Sequence, residues 1–352
     1  MQSADGSSQL HIRTNTLSTS CLPPPHISSI HILCSTDTNY AAYCGVMLTS
    51  VLESNPRNRF VIHILTDGLS DADTLRFHQL SARYGCIIDI HTLTPQHLSG
   101  LPERIGKWPR SICFRLFAPD LLSEEISRLI YLDCDVIVNT DLRPLWETDM
   151  DGYTCAAVND ADRCTDSALT GILSPLKSLP HSHRYFNSGV MVMDLQEMRR
   201  SRIQRSMLRL ILDYGAMLPY PDQDSLNIVL SGRWKRLPCY WNLMPGALVR
   251  SIYPTLDEDE QRTVKELTSG SPRGIIHYYG PYHPWDETTL IFHPMEYLWE
   301  SCRRISPWRN AICRRHSTSV LTRLHRQRLR LCWRHRIPTV YDLTWIDIPK
   351  RS

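Results

Sequence analysis

No apolar run in this chain reaches the roughly 20 residues that a membrane-spanning helix needs. The stretch Met1 to Pro25 has no apolar segment behind a basic start, so no signal peptide is expected. Twelve cysteines are present, yet none shows the close pairing of a zinc module. Cys34, Cys86, Cys113, Cys134 and Cys155 lie among apolar residues instead, which fits reduced, buried thiols of a cytosolic protein better than disulfides. No Gly-x-Gly-x-x-Gly occurs, and no Gly-x-x-x-x-Gly-Lys followed by Ser or Thr. A dinucleotide fingerprint and a P-loop are therefore disfavoured. There is no internal repeat and no recognised nucleic-acid module, so no nucleic-acid partner is expected.

What is present is enough for a sizeable core. Hydrophobic residues make up 42% of 352 residues, and charged residues 21%, both close to ordinary globular usage. The net charge of +3 hides an asymmetry. Arg303 to Arg336 holds eleven arginines and no acid, so the rest of the chain is net acidic. A basic tail on an acidic body points to an anionic partner.

Residues 1–27, rich in Ser and Thr and closed by Pro23-Pro24-Pro25, read as a mobile leader. Apolar runs then alternate with segments of helical spacing. Strands are expected at Ile27–Cys34, Arg59–Leu65, Cys86–His91, Leu129–Leu132, Tyr153–Val158, Gly189–Asp194 and Gly274–Tyr278. Helices are expected at Ala41–Ser54, at Asp71–Tyr84 with a Ser70/Asp71 start, around Ser111–Leu122, at Gln196–Asp213 and at Asp222–Leu230. Such alternation predicts an α/β domain with a mainly parallel, mixed sheet. A further helix is expected at Ile291–Arg304, opening a basic C-terminal extension.

The most informative stretch is Tyr131-Leu132-Asp133-Cys134-Asp135-Val136. Two acids interrupt an apolar run, and a buried unpaired charge is costly. The strand is therefore expected to end at Leu132 and the acids to enter a cleft, where they suit Mn²⁺ or Mg²⁺. Acids at a strand end also cap helices and shape turns, so the pair needs company. Asp37, Asp160 and His277 all fall at predicted strand ends, where open α/β sheets bind ligands. His277 is a candidate third ligand; carboxylates with one imidazole lean towards Mn²⁺. Its competing role is that of a hydrogen-bonded core histidine.

Asp37, Asn39 and Tyr40 occupy the first strand-to-helix turn, the usual nucleotide position. Capping of the helix by Thr38 or Asn39 is the simpler role there. In Phe186-Asn187-Ser188-Gly189-Val190 the glycine permits close backbone approach. In Asp222-Gln223-Asp224 the acids either cap a helix, favoured by its dipole, or meet sugar hydroxyls.

Taken in order, these blocks resemble the family-8 glycosyltransferases, especially the bacterial lipopolysaccharide glucosyl- and galactosyltransferases. The likeness rests on Thr36 to Tyr43, Arg115, Tyr131 to Val136, Phe186 to Val190, Asp222 to Asn227, and His277 to Pro281 with Pro284-Trp285. It spans about residues 28–286. The resemblance implies a GT-A-like single domain over 28–290 and retaining transfer of glucose or galactose from a UDP-sugar. It assigns Asp133, Asp135 and His277 to Mn²⁺, with Mg²⁺ as the alternative. Asp37, Asn39 and Tyr40 would hold uridine, and Arg115, Asp160, Asn187, Asp222 and Gln223 the donor sugar. Gln223, Asp160 and Asp222 form the expected catalytic set, and Gly280 would approach a phosphate. One departure is His283, where the family carries a lysine for the diphosphate; an imidazole supplies charge only when protonated.

Residues 291–352, with Trp308 and Trp333 among the arginines, are expected to lie on the inner face of an anionic cytoplasmic membrane. The acceptor would then be a lipid-linked oligosaccharide of the lipopolysaccharide core. Two other readings compete. Asp133 as a phosphorylated nucleophile is disfavoured, because it comes late in the chain. A non-catalytic sugar-nucleotide-binding or membrane-docking protein gains some weight from His283.

Overall fold

The computed structural model describes residues 28–244, 258–268, 272–279, 283–285 and 295–311. The leader, Gly280 and the basic tail from residue 312 lie outside the described residues. Strands β1 (Ile30–Ser35), β2 (Phe60–Thr66), β3 (Ile87–Thr92), β4 (Arg128–Leu132), β5 (Val136–Asn139), β6 (Cys155–Asn159), β7 (Phe186–Asp194), β8 (Trp234–Arg236) and β9 (Gly274–His277) carry the site. Seven form one sheet in the order β8-β6-β7-β4-β1-β2-β3, and β9 pairs with β5 alone. Within the seven-stranded sheet the pairings are parallel except for β7, which runs antiparallel to both β4 and β6, and β9 runs antiparallel to β5.

Each strand follows from its sequence. Ile30, Ile32 and Cys34 alternate with His31 and Leu33, and the first set is fully buried. These residues pack beneath α1 (Ala41–Ser54) and α2 (Asp71–Tyr84) through Met47, Leu48, Val51, Phe77 and Leu80. A second core on the other face joins Leu33, Leu65, Phe114, Tyr131, Met191, Met193 and Leu226. The Ser70 hydroxyl accepts from the Asp73 amide to start α2, and Gly85 closes it at φ 62°, a left-handed position that suits glycine. Among the described residues no cysteine is in a disulfide; eight are buried and Cys302 is half-buried.

Three expectations shift. The helix at 111–122 is a 3-10 helix over Arg110–Phe117, followed by one α turn. The helix at 196–213 is two helices, α3 (Leu195–Arg200) and α4 (Ile203–Tyr214), broken where Arg202 adopts φ 50°. The run at 189–194 begins three residues earlier and points against its neighbours, so its first residues share an edge with the carboxyl ends of β4 and β6.

The packed body also continues past residue 290. In α7 (Glu296–Ile305, with α5 Pro221–Val229 and α6 Glu258–Thr268 preceding it) Trp299 is buried. Trp308 is fully buried, packs at a tilt against Phe77 and donates to Asp73 Oδ1 over 2.7 Å. Its ring occupies the space that a side chain at Gly45 would take. No helix among the described residues is long and apolar enough to cross a membrane.

Candidate active site

Sheet register brings the acids together. Leu132 pairs with Val190, and the Asp133 amide donates to Gly189 O over 2.8 Å. His277 pairs with Val136, and the Tyr278 amide donates to Asp135 O over 2.9 Å. The two acids thus sit in the link between β4 and β5, with β7 and β9 on either side. Cys134, between them, turns away and donates to Ser35 O over 3.1 Å.

Asp133 uses its two oxygens differently. Oδ1 accepts from Tyr131 over 2.6 Å and from Arg115 over 2.7 Å. Oδ2 lies instead over Gly189, 2.9 Å from where a Cβ would stand. A methyl group there would also overlap His277 Cε1. The glycine is needed because the Asp133 and His277 side chains converge over its α-carbon.

The orientation of His277 follows from one fixed backbone donor. The Gly189 amide donates to Asn187 Oδ1 over 2.9 Å, which settles the oxygen end of that amide. Asn242 Nδ2 must then donate to the same oxygen, over 2.8 Å. That leaves Asn242 Oδ1 as acceptor for His277 Nδ1–H over 2.9 Å. Nε2 is therefore the atom aimed at Asp135 Oδ1, 3.2 Å away. Asp135 Oδ1 is buried and receives no well-aligned hydrogen bond. The ligand atoms of Asp133, Asp135 and His277 all lie within 4.8 Å of one another. Converging lone pairs of this kind suit a divalent cation, and the donor set of two carboxylates and one imidazole fits Mn²⁺ or Mg²⁺.

The electrostatics agree. Burial raises the Asp135 carboxyl, but His277 and His283 more than offset this and hold it well below the usual carboxylate range. Burial lowers His277, while Asp135 raises it further, so the net shift is upward. His283 Nε2 is 3.4 Å from Asp135 Oδ2, and its ring stacks on Trp285 with centroids 4.9 Å apart. The expected diphosphate contact thus stands beside a candidate metal ligand.

Arg115 is buried and ties the acids to one another. It meets Asp133 over 2.7 Å, Asp222 over 3.1 Å and Ser188 O over 2.8 Å, with its guanidinium 4.1 Å above the Tyr131 ring. This residue, expected at the donor sugar, bridges Asp133 and Asp222. Gln223 is fixed in the same way by a backbone donor: its Oε1 accepts from the Ser188 amide over 2.9 Å, so Nε2 faces Asp160 Oδ2 at 3.3 Å. Asn187 Nδ2 reaches Asp160 Oδ2 at 3.4 Å. Asp224 takes the structural role at the start of α5, accepting from the Tyr220 amide and from the Tyr185 hydroxyl.

Asp37 forms the adjoining turn. Its Oδ1 accepts from the Asn39 and Tyr40 amides over 2.9 and 3.1 Å, and Oδ2 accepts from Ser111 over 2.9 Å. Asp37, not Thr38 or Asn39, organises the entry to α1, leaving the Asn39 and Tyr40 side chains exposed. Sequence reading did not single out Tyr131 or Asn242. Period-two alternation was a usable signal for Tyr131, two residues before Asp133. Asn242 carried no local signal.

The description "Glycosyl transferase family 8" matches residues 31–289. A lipopolysaccharide 1,2-glucosyltransferase of Escherichia coli is 29% identical over 278 residues, covering 78% of each chain. General stress protein A of Bacillus subtilis is 27% identical, covering 76% of this chain and 93% of its own. Among solved structures, the galactosyltransferase LgtC in complex with donor and acceptor sugar analogues superposes with a TM-score of 0.64 at 25% identity, covering 77% of this chain and 96% of its own. The fold is GT-A-like, as the alternating pattern and the single reversed strand β7 allow. Since the matched span holds nearly the whole sheet and every acid of the cleft, the chain belongs to glycosyl transferase family 8.

Proposed function

We propose that this glycosyltransferase moves glucose or galactose from a UDP-sugar to a saccharide acceptor, with retention of configuration. The reading is carried by the bond chain from Gly189 through Asn187 and Asn242 to His277, which aims a ring nitrogen at an unsatisfied Asp135 oxygen. Asp133, Asp135 and His277 would hold Mn²⁺, with Mg²⁺ as the alternative. When bound, such an ion supplies positive charge to a departing diphosphate.

The chain's own residues do the rest. Asp37, Asn39 and Tyr40 offer a carboxylate-ordered turn and an exposed ring to uridine. Asp160, Asp222, Asn187 and Gln223 offer acceptors and donors to the donor hydroxyls. Asp222 is paired with Arg115, and both amide atoms of Gln223 are engaged. Neither is poised as a nucleophile, which favours a front-face route. There the bond from the anomeric carbon to phosphate breaks as the acceptor oxygen bonds to the same face. The leaving phosphate oxygen takes the acceptor proton.

The named relatives include lipopolysaccharide transferases. The acceptor proposed here is a lipid-linked core oligosaccharide. The arginine-rich tail of region 291–352 would hold the protein to the inner face of the cytoplasmic membrane, each basic residue contributing roughly 1 kcal/mol near an anionic surface. The test is UDP release from UDP-glucose and UDP-galactose, with and without Mn²⁺. Turnover should require the ion and vanish in Asp135→Ala while the circular dichroism spectrum is kept. Unchanged turnover in that variant would overturn the assignment.

A further inference from the structure

Three imidazoles cross the first three strands away from the cleft. His31, His63 and His91 alternate with the core positions Ile30 and Ile32, Ile62 and Ile64, and Ile88 and Ile90, so they share the other face of the sheet. His31 Nδ1 stands 3.0 Å from His63 Nε2, and His63 Nδ1 stands 3.2 Å from His91 Nε2. Asp89 pairs directly with His63 across β2 and β3. One ligand atom from each of His63, Asp89 and His91 lies within 4.8 Å of the other two.

Two nitrogens facing each other can share only one proton. The row is satisfied without metal if all three rings point the same way, His91 Nε2–H to His63 Nδ1 and His63 Nε2–H to His31 Nδ1. The spacing also matches a metal site. Zn–N bonds of about 2.0–2.1 Å in a tetrahedron put neighbouring nitrogens about 3.3 Å apart. A cation would therefore replace the proton between His63 and His91 with a tautomer shift at His91 and little movement. Metal-bound histidines usually donate their other N–H to a fixed partner; His31 stands where that partner is needed. Asp89 is exposed and His91 half-exposed, which leaves a path from solvent.

We propose that His63 Nδ1, His91 Nε2 and an Asp89 carboxylate oxygen form a second divalent-metal site, of the zinc class, with His31 orienting His63. Water completes the coordination. β3 is the outermost strand of the sheet, and an exposed edge is the part most open to slippage and foreign pairing. The site fastens that edge to β2. It is independent of the proposed transfer chemistry.

The full-length chain, stripped with chelator, is titrated with Zn²⁺ and Co²⁺ in an Asp135→Ala background, which removes the cleft site. A single equivalent should bind, raise the melting temperature, and give Co²⁺ ligand-field bands without a thiolate charge-transfer band. His91→Ala and Asp89→Asn should each abolish that binding. His31→Phe should weaken it about 10- to 100-fold while the fold persists. Two variants are used so that misfolding of one does not decide the matter. The proposal fails if Asp135→Ala binds no metal, if His91→Ala and Asp89→Asn bind as tightly as the parent, or if a thiolate charge-transfer band places the ion on cysteine.

Discussion

His277 Nδ1 donates to Asn242 Oδ1 over 2.9 Å, and this bond decides which ring nitrogen faces Asp135. Asn242 is buried and its side-chain amide bonds Asn187 and His277. Its effect on Asp135 passes through the imidazole.

Asn242→Leu should therefore lower Mn²⁺ affinity by about 10- to 100-fold, with a smaller loss of maximal turnover at saturating Mn²⁺. Electron paramagnetic resonance titration of free Mn²⁺ reads the affinity directly. Equal affinities in parent and variant would mean that the ring is held by its neighbours in β9 alone.

Gly189→Ala tests the convergence over β7. The added methyl would overlap His277 Cε1 and press on Asp133 Oδ2. Overpacking of this kind costs about 1–3 kcal/mol. Divalent binding and turnover should fall together, while urea denaturation shows a native-like slope. Retained binding would show that the two side chains can part without losing the site.

Arg115 spans Asp133, Asp222 and Ser188 O from a buried position. Arg115→Ala leaves two acids without their shared cation and should cost about 3–5 kcal/mol. Arg115→Lys should recover much of the stability but little of the activity. Both carboxylates meet the one nitrogen Nη2, which an ammonium can imitate, but the Nη1 bond to Ser188 O and the Nε bond to Ile112 O that hold the group in place are lost. Denaturation and turnover measured on the same samples separate the two effects.

Asp222 provides a titration with a defined sign. Burial raises its carboxyl, Arg115 opposes this and Asp133 adds to it, for a value of about 6 against an ordinary 3.8. Between those values the native state holds a proton that the unfolded chain lacks. This group therefore adds stability as pH falls through 6, and the gain is complete below 3.8. Carbon NMR of the metal-free protein should show the midpoint near 6. Mg²⁺ should lower it by offsetting the Asp133 charge. A metal-free midpoint at 3.8 would remove the premise.

What the sequence made legible was what hydrophobicity marks locally. Asp133 and Asp135 stood out because charge interrupts an apolar strand, and α1 and α2 appear with the bounds that their spacing and the Ser70 signal indicate. Strand direction has no such mark. The reversal of β7 is invisible in Gly189–Asp194, yet it is what brings Asn187, at the start of a strand, to the same edge as Asp133 at the end of one. Asn242 was hidden for a related reason: its partners, Asn187 and His277, are far away in sequence, and the Leu243–Ile276 bridge is what sets it beside β9. The break at Arg202 had no glycine or proline to announce it.

Trp308 was grouped with the arginines by composition, but its ring fills the notch at Gly45 and binds Asp73. This has a practical bearing on where the chain can be shortened. A cut at residue 290 would take Trp299 and Trp308 out of the core, and truncating a buried tryptophan costs about 3–5 kcal/mol. A cut after Ala311 would remove the arginine-dense segment and leave both rings seated. Only the second cut separates loss of the proposed surface attachment from loss of fold.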